Sequence, residues 1–272
     1  MTKIGIISGG GSLPIVIGKN LINKNFKVVF FVIDDFFNSN IYKGLDVNII
    51  NLKSAKKIIN SLKSRNIDNI IMAGNIVRPS ITDLSFDLET FKLAKNLLLN
   101  KTGDNDLLIH IKKFFIDNGF PYFDWKIYCP ELFVNKDNLT NVKPSTIAKK
   151  NLKKALSVFR TFGKLDIGQS LIIQNQIVLG LEAVEGTDNL IIRCNKYKKS
   201  GDKGILVKLA KYNQSNILDI PTIGENTINL LSRNDYEGIY LEENNCLIID
   251  KEKIINLANK LNIFISTCNK IE

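Results

Sequence analysis

Short apolar runs alternate with amphipathic stretches through the first third of the chain. Residues 3–8 form an apolar run that ends in glycines, which predicts a buried strand. After Pro14, the residues Leu13, Ile17, Leu21 and Ile22 mark one face at helical spacing, and proline is tolerated in a first turn. Residues 27–33 are β-branched and aromatic and predict a second strand, with a third apolar segment at 47–52. Ala55, Ile58, Ile59 and Leu62 give a helix over 54–65 its apolar face, and residues 69–73 predict another strand ending at Gly74-Asn75. Strands alternating with helices imply a parallel sheet with helices on its faces.

Helices are expected at about 84–100 and 104–118, with Gly103 between them and Asp104 as N-cap of the second. From Pro121 to about 145 the pattern is irregular and rich in Asn, Asp and Pro, the mark of a connection between domains. A basic amphipathic helix follows from Ser145 to Phe162. Beyond it, strands at 169–174, 177–184, 204–208, 238–241 and 246–249 mix with helices at 187–194, 223–233 and 251–260. The expected organisation is an α/β domain over 1–130, a linker and connecting helix over 131–162, and a smaller mixed α/β domain over 163–272.

Composition narrows the chemistry. The longest dense apolar run, 28–33, is far short of the roughly 20 residues of a spanning helix, and no cleavable leader is visible. A cytoplasmic protein is expected, at most peripheral to a membrane. The four cysteines, Cys129, Cys194, Cys246 and Cys268, form no C-x-x-C pair, which argues against a zinc knuckle or a disulfide scaffold. The single histidine, His110, makes a histidine-rich metal centre and a Ser-His-Asp triad improbable. Metal chemistry would rest on carboxylates, whose oxygens suit Mg²⁺ or Mn²⁺. The net charge of +10 accompanies abundant Ile, Lys and Asn, so a solvated basic surface explains it as well as a binding patch does. The acidic clusters and the lack of an aromatic-rich motif speak against a nucleic-acid partner.

Five places carry candidate chemistry. Gly9-Gly10-Gly11-Ser12 lies between a strand and a helix, where backbone N–H groups and the helix dipole suit an anion. It is no P-loop, since no Gly-Lys-Ser/Thr follows. As a dinucleotide fingerprint it is imperfect, although Asp34 sits where a ribose-binding acid would, so a nicotinamide-dependent oxidoreductase is the rival reading. The second place is Gly74-Asn75-Ile76-Val77-Arg78-Pro79, where Asn75 would read a polar group and Arg78 would clamp a phosphate. The third, Gly103-Asp104-Asn105-Asp106, is either a cation site or simple capping. In the fourth, Asp166-Ile167-Gly168-Gln169 precedes a strand and Glu182 ends the next, ahead of Glu185-Gly186-Thr187-Asp188, where Thr187 or Asp188 would cap a helix. Acids gathered this way repel one another unless a cation or hydrogen-bond donors neutralise them. The fifth is Asp219-Ile220-Pro221-Thr222-Ile223-Gly224, in which a rigid turn holds a carboxylate that would ligate metal or activate water, with Lys208 and Lys211 near in sequence to pair with phosphate.

In combination, GGGSLP at 9–14, GNIVRP at 74–79, GDND at 103–106, LDIGQ at 165–169, EAVEGTD at 182–188 and DIPTIG at 219–224 resemble the LpxI-type UDP-2,3-diacylglucosamine pyrophosphatases of lipid A synthesis. The resemblance runs nearly end to end. It implies a Rossmann-like N-terminal domain, a distinct C-terminal domain with substrate between them, and a homodimer. It also implies Mg²⁺- or Mn²⁺-dependent cleavage of a lipid-linked nucleotide sugar to UMP and 2,3-diacylglucosamine 1-phosphate. The family's essential aspartate maps onto Asp219. Joined to the readings above, it gives a candidate substrate set of Gly9, Gly10, Gly11, Ser12, Leu13, Gly74, Asn75, Arg78, Gln169, Thr187, Asp188 and Lys208, with Asp104 and Asp219 as metal ligands. The chain departs from the family pattern at Asn105, where a second aspartate is common, and at Ile217, where an arginine is common.

Overall fold

A computed structural model describes residues 1–76, 104–165, 167–212 and 220–270, with the backbone alone for 104–108. The chain divides into two compact units, Met1–Pro130 and Glu131–Glu272.

The first unit is built on β1 (Lys3–Ser8), β2 (Lys27–Ile33), β3 (Val47–Ile50) and β4 (Asn69–Ala73), with α1 (Leu13–Asn23), α2 (Ala55–Ser64) and α3 (Asp104–Asp117). The sheet order is β3-β2-β1-β4 and all pairs are parallel. β1 and β2 read as near-continuous apolar runs because a parallel sheet is covered on both faces, and Ile4, Ile6, Phe30, Phe31 and Val32 are fully buried. Ser54 caps α2 by accepting from the Lys57 N–H at 3.3 Å. β3 lies on one side of β1 through β2, while β4 lies on the other. The loops after β1 and β4 therefore meet at the point where strand order reverses, the usual ligand crevice of an open parallel sheet.

The second unit holds α4 (Thr146–Phe162), β5 (Ser170–Gln174), β6 (Ile177–Leu181), α5 (Gly186–Asn195), β7 (Ile205–Lys208), β8 (Thr222–Ile223), α6 (Glu225–Arg233), β9 (Gly238–Glu242), β10 (Leu247–Ile248), α7 (Lys251–Lys260) and β11 (Phe264–Cys268). Its main sheet runs β11-β9-β7-β5-β6, the first three strands parallel and β5 antiparallel to both of its neighbours. Side chains alternate between faces with period two. Ile172, Leu206, Ile239 and Ile265 pack beneath α5, α6 and α7, and Leu171, Ile173, Val207 and Phe264 pack beneath Phe159 and Phe162 of α4. Ser145 caps α4, its hydroxyl accepting from the Ala148 N–H at 3.0 Å.

The α/β class and the mixed second sheet agree with the sequence pattern. The edge strand β11 is a difference: its sequence, FISTC, is short and turns polar where it leaves the sheet, so periodicity gave no signal there. The helix expected at 84–100 lies outside the described residues. No helix among those described is long and apolar enough to cross a membrane.

Candidate functional site

At the crevice edge of the first unit, the glycine loop is occupied chiefly by its own backbone. The Gly9 N–H donates to Ala73 O at 2.9 Å, and Gly10 and Asn75 exchange a reciprocal pair, Gly10 N–H to Asn75 O at 2.7 Å and Asn75 N–H to Gly10 O at 2.9 Å. Gly74 supports this bridge at φ +90°, where a Cβ would lie 2.6 Å from Gly10 O. The donors left toward the crevice are the N–H groups of Gly11, Ser12 and Leu13, for which no acceptor occurs among the described residues. Ser12 is the N-cap of α1 without a side-chain cap bond, so its hydroxyl is also uncommitted there. The loop thus offers three backbone donors rather than five, set against the N-terminus of α1. Asp34, the acid of the nicotinamide reading, accepts from Asn51 Nδ2 at 2.6 Å. Arg78 lies outside the described residues.

The second unit gathers polar side chains where its sheet ends. β7 runs opposite to β5, so Lys208 at the end of β7 pairs with Ser170 at the start of β5. β6 returns to the same edge and delivers Glu182 just beyond Leu181. Gly168 makes the approach close: a Cβ there would overlap Glu182 O. The Glu182 N–H donates to Ser170 O at 2.8 Å, and the Gln169 N–H donates to Glu182 Oε2 at 3.3 Å.

A chain of side-chain contacts is built on that backbone frame. Lys208 Nζ donates to Thr187 Oγ1 at 2.6 Å, and Thr187 Oγ1 donates to Glu182 Oε1 at 2.9 Å. Ser170 Oγ stands 3.4 Å from Lys208 Nζ and 3.2 Å from Thr187 Oγ1, and Glu182 Oε2 stands 4.0 Å from the ammonium. Lys208 is only 5% exposed and Glu182 9%. A buried charge needs a partner and hydrogen bonds; here each is the other's counter-charge, and Thr187, Ser170 and the Gln169 N–H supply the hydrogen bonds. The acids repel less than the sequence suggested, because Glu182 is neutralised by donors of the protein itself.

Thr187 and Asp188 do not cap the helix. α5 starts at Gly186 after Glu185, which makes no side-chain cap bond, so both residues lie in the first turn. Asp188 reaches instead to the first turn of α6. It accepts from Thr227 Oγ1 at 2.9 Å and from Asn226 Nδ2 at 2.6 Å. The N-termini of α5 and α6 are therefore tied together beside the buried ammonium. On the other flank, the Arg193 guanidinium, 2.5 Å from Glu185, holds that carboxyl below the usual range. Gln169 is mostly buried; its N–H serves Glu182 and its O accepts from the Leu209 N–H at 2.8 Å.

Further along the same edge, Glu242 at the end of β9 accepts from the Ala210 N–H at 2.8 Å, from Asn245 Nδ2 at 2.8 Å and from Lys270 Nζ at 3.2 Å. Sequence reading missed Glu242 and Ser170 and gave Glu182 no role of its own. The available signal was a polar residue at the end of an apolar strand beside a glycine turn.

Asp219 and the side chain of Asp104 lie outside the described residues. Among the described residues, no group of three or more His, Cys, Asp or Glu side chains is placed to hold a metal ion. The buried Glu182 and Glu242 and the half-buried Asp188 are already committed to protein donors.

The family models for the LpxI N-terminal domain and the LpxI C-terminal domain match residues 3–132 and 135–266. The chain is 30% identical over 274 aligned positions, covering 97% of each partner, to a Caulobacter vibrioides protein named UDP-2,3-diacylglucosamine pyrophosphatase LpxI. The chain belongs to the LpxI family. Among solved structures, the precorrin-6A reductase CobK aligns at a TM-score of 0.31 and 8% identity, covering all of this chain and 89% of that one. The UDP-glucose 4-epimerase of Thermus thermophilus complexed with NAD aligns at 0.32 and 10%, covering 98% and 86%. Similarity at that level carries no argument for a nicotinamide cofactor. Within the LpxI frame, the boundary between the two family models falls at 132–135, beside the boundary between the two compact units.

Proposed function

We propose that the chain hydrolyses the pyrophosphate bond of UDP-2,3-diacylglucosamine, releasing UMP and 2,3-diacylglucosamine 1-phosphate, as a step of lipid A synthesis. The observation that carries this reading is the end-to-end match to a relative named for that substrate. The geometry of the second unit supports it. A pyrophosphate repels nucleophiles through its own negative charge, and cleavage adds charge to the leaving phosphate. Lys208 brings a cation to the sheet edge, and two of its three N–H bonds are directed at Thr187 and Ser170. The third would meet a phosphate oxygen. The N-terminus of α5 adds backbone donors and partial positive charge at the same place. Fixed donors of this kind stabilise developing charge without reorganising. In the first unit, Gly11, Ser12 and Leu13 offer a second set of N–H donors for an anionic or polar part of the substrate.

Asp219 would hold a divalent ion or orient the attacking water, and Asp104 is the other acid that the resemblance offers as an ion ligand. Mg²⁺ or Mn²⁺, when bound, would neutralise phosphate charge and polarise the phosphoryl oxygen. Oxygen ligands suit these ions, and the single histidine leaves carboxylates as the available donors.

The test is incubation of the purified chain with UDP-2,3-diacylglucosamine and Mg²⁺, with products separated by chromatography. UMP and the 1-phosphate should appear in equal amounts. Release of UDP with a free sugar, or no turnover in the presence of either metal, would overturn the assignment.

A further inference from the structure

We propose that Glu182 is a positioning residue of the phosphate site: it aims the Lys208 ammonium through the hydroxyl of Thr187 and does not itself touch substrate. The inference rests on the reading of Lys208 as a phosphate ligand.

The direction of the hydrogen bonds carries the argument. A threonine hydroxyl has one hydrogen to give. Glu182 is acceptor-only as a carboxylate, so it takes that hydrogen, and the Thr187 oxygen is left to accept from Lys208, which can only donate. Thr187 is then fully oriented, with no hydrogen left for a ligand. Its polarity is set by Glu182. Without the carboxylate, the hydroxyl is free to turn its hydrogen elsewhere, and the lysine loses both a fixed acceptor and the negative charge 4.0 Å away.

Glu182 is also held at several points. Its own N–H is bonded to Ser170 O, its Oε2 is held by the Gln169 N–H, and the backbone at Gly168 is packed against its carbonyl. Both of its carboxylate oxygens are taken up by protein donors, Thr187 and the Gln169 N–H, whereas Lys208 has one N–H more than the two that Thr187 and Ser170 accept. The motifs LDIGQ and EAVEGTD thereby acquire one joint purpose. Gly168 admits Glu182, Gln169 fixes one of its oxygens, and Thr187 carries its influence from the other to Lys208.

The test is a double-mutant cycle read by calorimetric binding of UDP, a probe that carries the pyrophosphate without the lipid. Glu182→Gln should weaken UDP binding roughly tenfold, the order expected for a lost charge-assisted contact. In a Lys208→Met background the same change should weaken it by no more than about twofold, because nothing remains to be aimed. Thr187→Val should match Glu182→Gln, and Thr187→Ser should restore most of the loss. Thermal unfolding of each variant separates a fold defect, which would act alike in both backgrounds. Equal losses with and without Lys208, or UDP binding unchanged in Glu182→Gln, would overturn the proposal. Failure of the assigned reaction is distinguishable. A wild-type chain that binds UDP without cleaving the lipid substrate sinks the hydrolase reading, and the cycle still decides the role of Glu182. A chain that does not bind UDP sinks both.

Discussion

Gly168 and Glu182 are packed so closely that no side chain fits between them: a Cβ on Gly168 would overlap the Glu182 carbonyl oxygen and lie 2.9 Å from its Cβ. The contact sets the register of the segment entering β5 against the segment leaving β6. It thereby places Gln169, Ser170 and Glu182 around Lys208.

Gly168→Ala is therefore expected to act twice. The overlap is with backbone, which cannot rotate away, so an overpacking cost of about 1–3 kcal/mol is expected in chemical unfolding. The displaced strand end should also lower turnover beyond what the fraction folded accounts for. Equal stability and equal turnover in the alanine variant would mean that the segment shifts freely, and the frame around Lys208 would not be rigid.

The tie between α5 and α6 gives a second prediction. Asp188 accepts two hydrogen bonds from α6, from Asn226 and Thr227. Asp188→Asn keeps the shape but turns one acceptor into a donor facing another donor. The expected cost is about 1–2 kcal/mol in stability, with amide exchange faster at the first turns of both helices. Substrate affinity should fall as well, since α5 carries Thr187, which bonds the ammonium. Protection unchanged at both helices would show that apolar packing alone holds them.

Much of this arrangement was legible in the sequence, and the part that was not has a physical cause. The first sheet could be read because β1 and β2 are buried on both faces and appear as unbroken apolar runs. The helices α2 and α4 declared themselves through spacing, and α4 also through Ser145 at its cap. Gly168, Glu182, Thr187 and Lys208 each stood out or lay near a motif. Their joining did not, because it depends on β5 running antiparallel between β6 and β7, and no local pattern encodes that order. Thr187 and Asp188 looked like caps for the same reason. Short polar side chains before an apolar helix fit a cap until tertiary partners claim them. β11 escaped notice because it is a short edge strand.

Burial of the thiols and phenols makes a third prediction, on pH. Burial pushes the Cys246 thiol up to about 12 and raises the Cys194 and Cys268 thiols and the Tyr236 and Tyr240 phenols. These groups stay protonated in the folded chain while their unfolded counterparts ionise, the thiols near 9 and the phenols near 10. Above pH 9 the folded state binds more protons, so stability falls as pH rises from there toward 12. Below pH 9 this contribution is fully present. Thermal midpoints taken across that range should decline steadily, and alkylation of Cys246 at pH 8 should require unfolding. Rapid alkylation of Cys246 in the native chain would contradict the buried, neutral thiol.

The last prediction separates binding from chemistry at the acid that family resemblance makes essential. Asp219→Ala should abolish hydrolysis and leave the thermal midpoint of unfolding unchanged. If Asp219 holds the divalent ion, the variant should still bind UDP through the Lys208 edge, but Mg²⁺ should no longer tighten that binding. Chelation of the wild type should reproduce the variant: turnover lost, UDP affinity reduced to the metal-free level, and both restored by added Mg²⁺ or Mn²⁺. The comparison distinguishes the two roles open to the carboxylate. Metal-dependent tightening that survives Asp219→Ala would reassign the residue from holding the ion to orienting water. Full turnover in chelator would remove the ion from the reaction and leave charge stabilisation to Lys208 and the helix termini. Near-normal turnover by Asp219→Ala would remove the residue from the mechanism altogether.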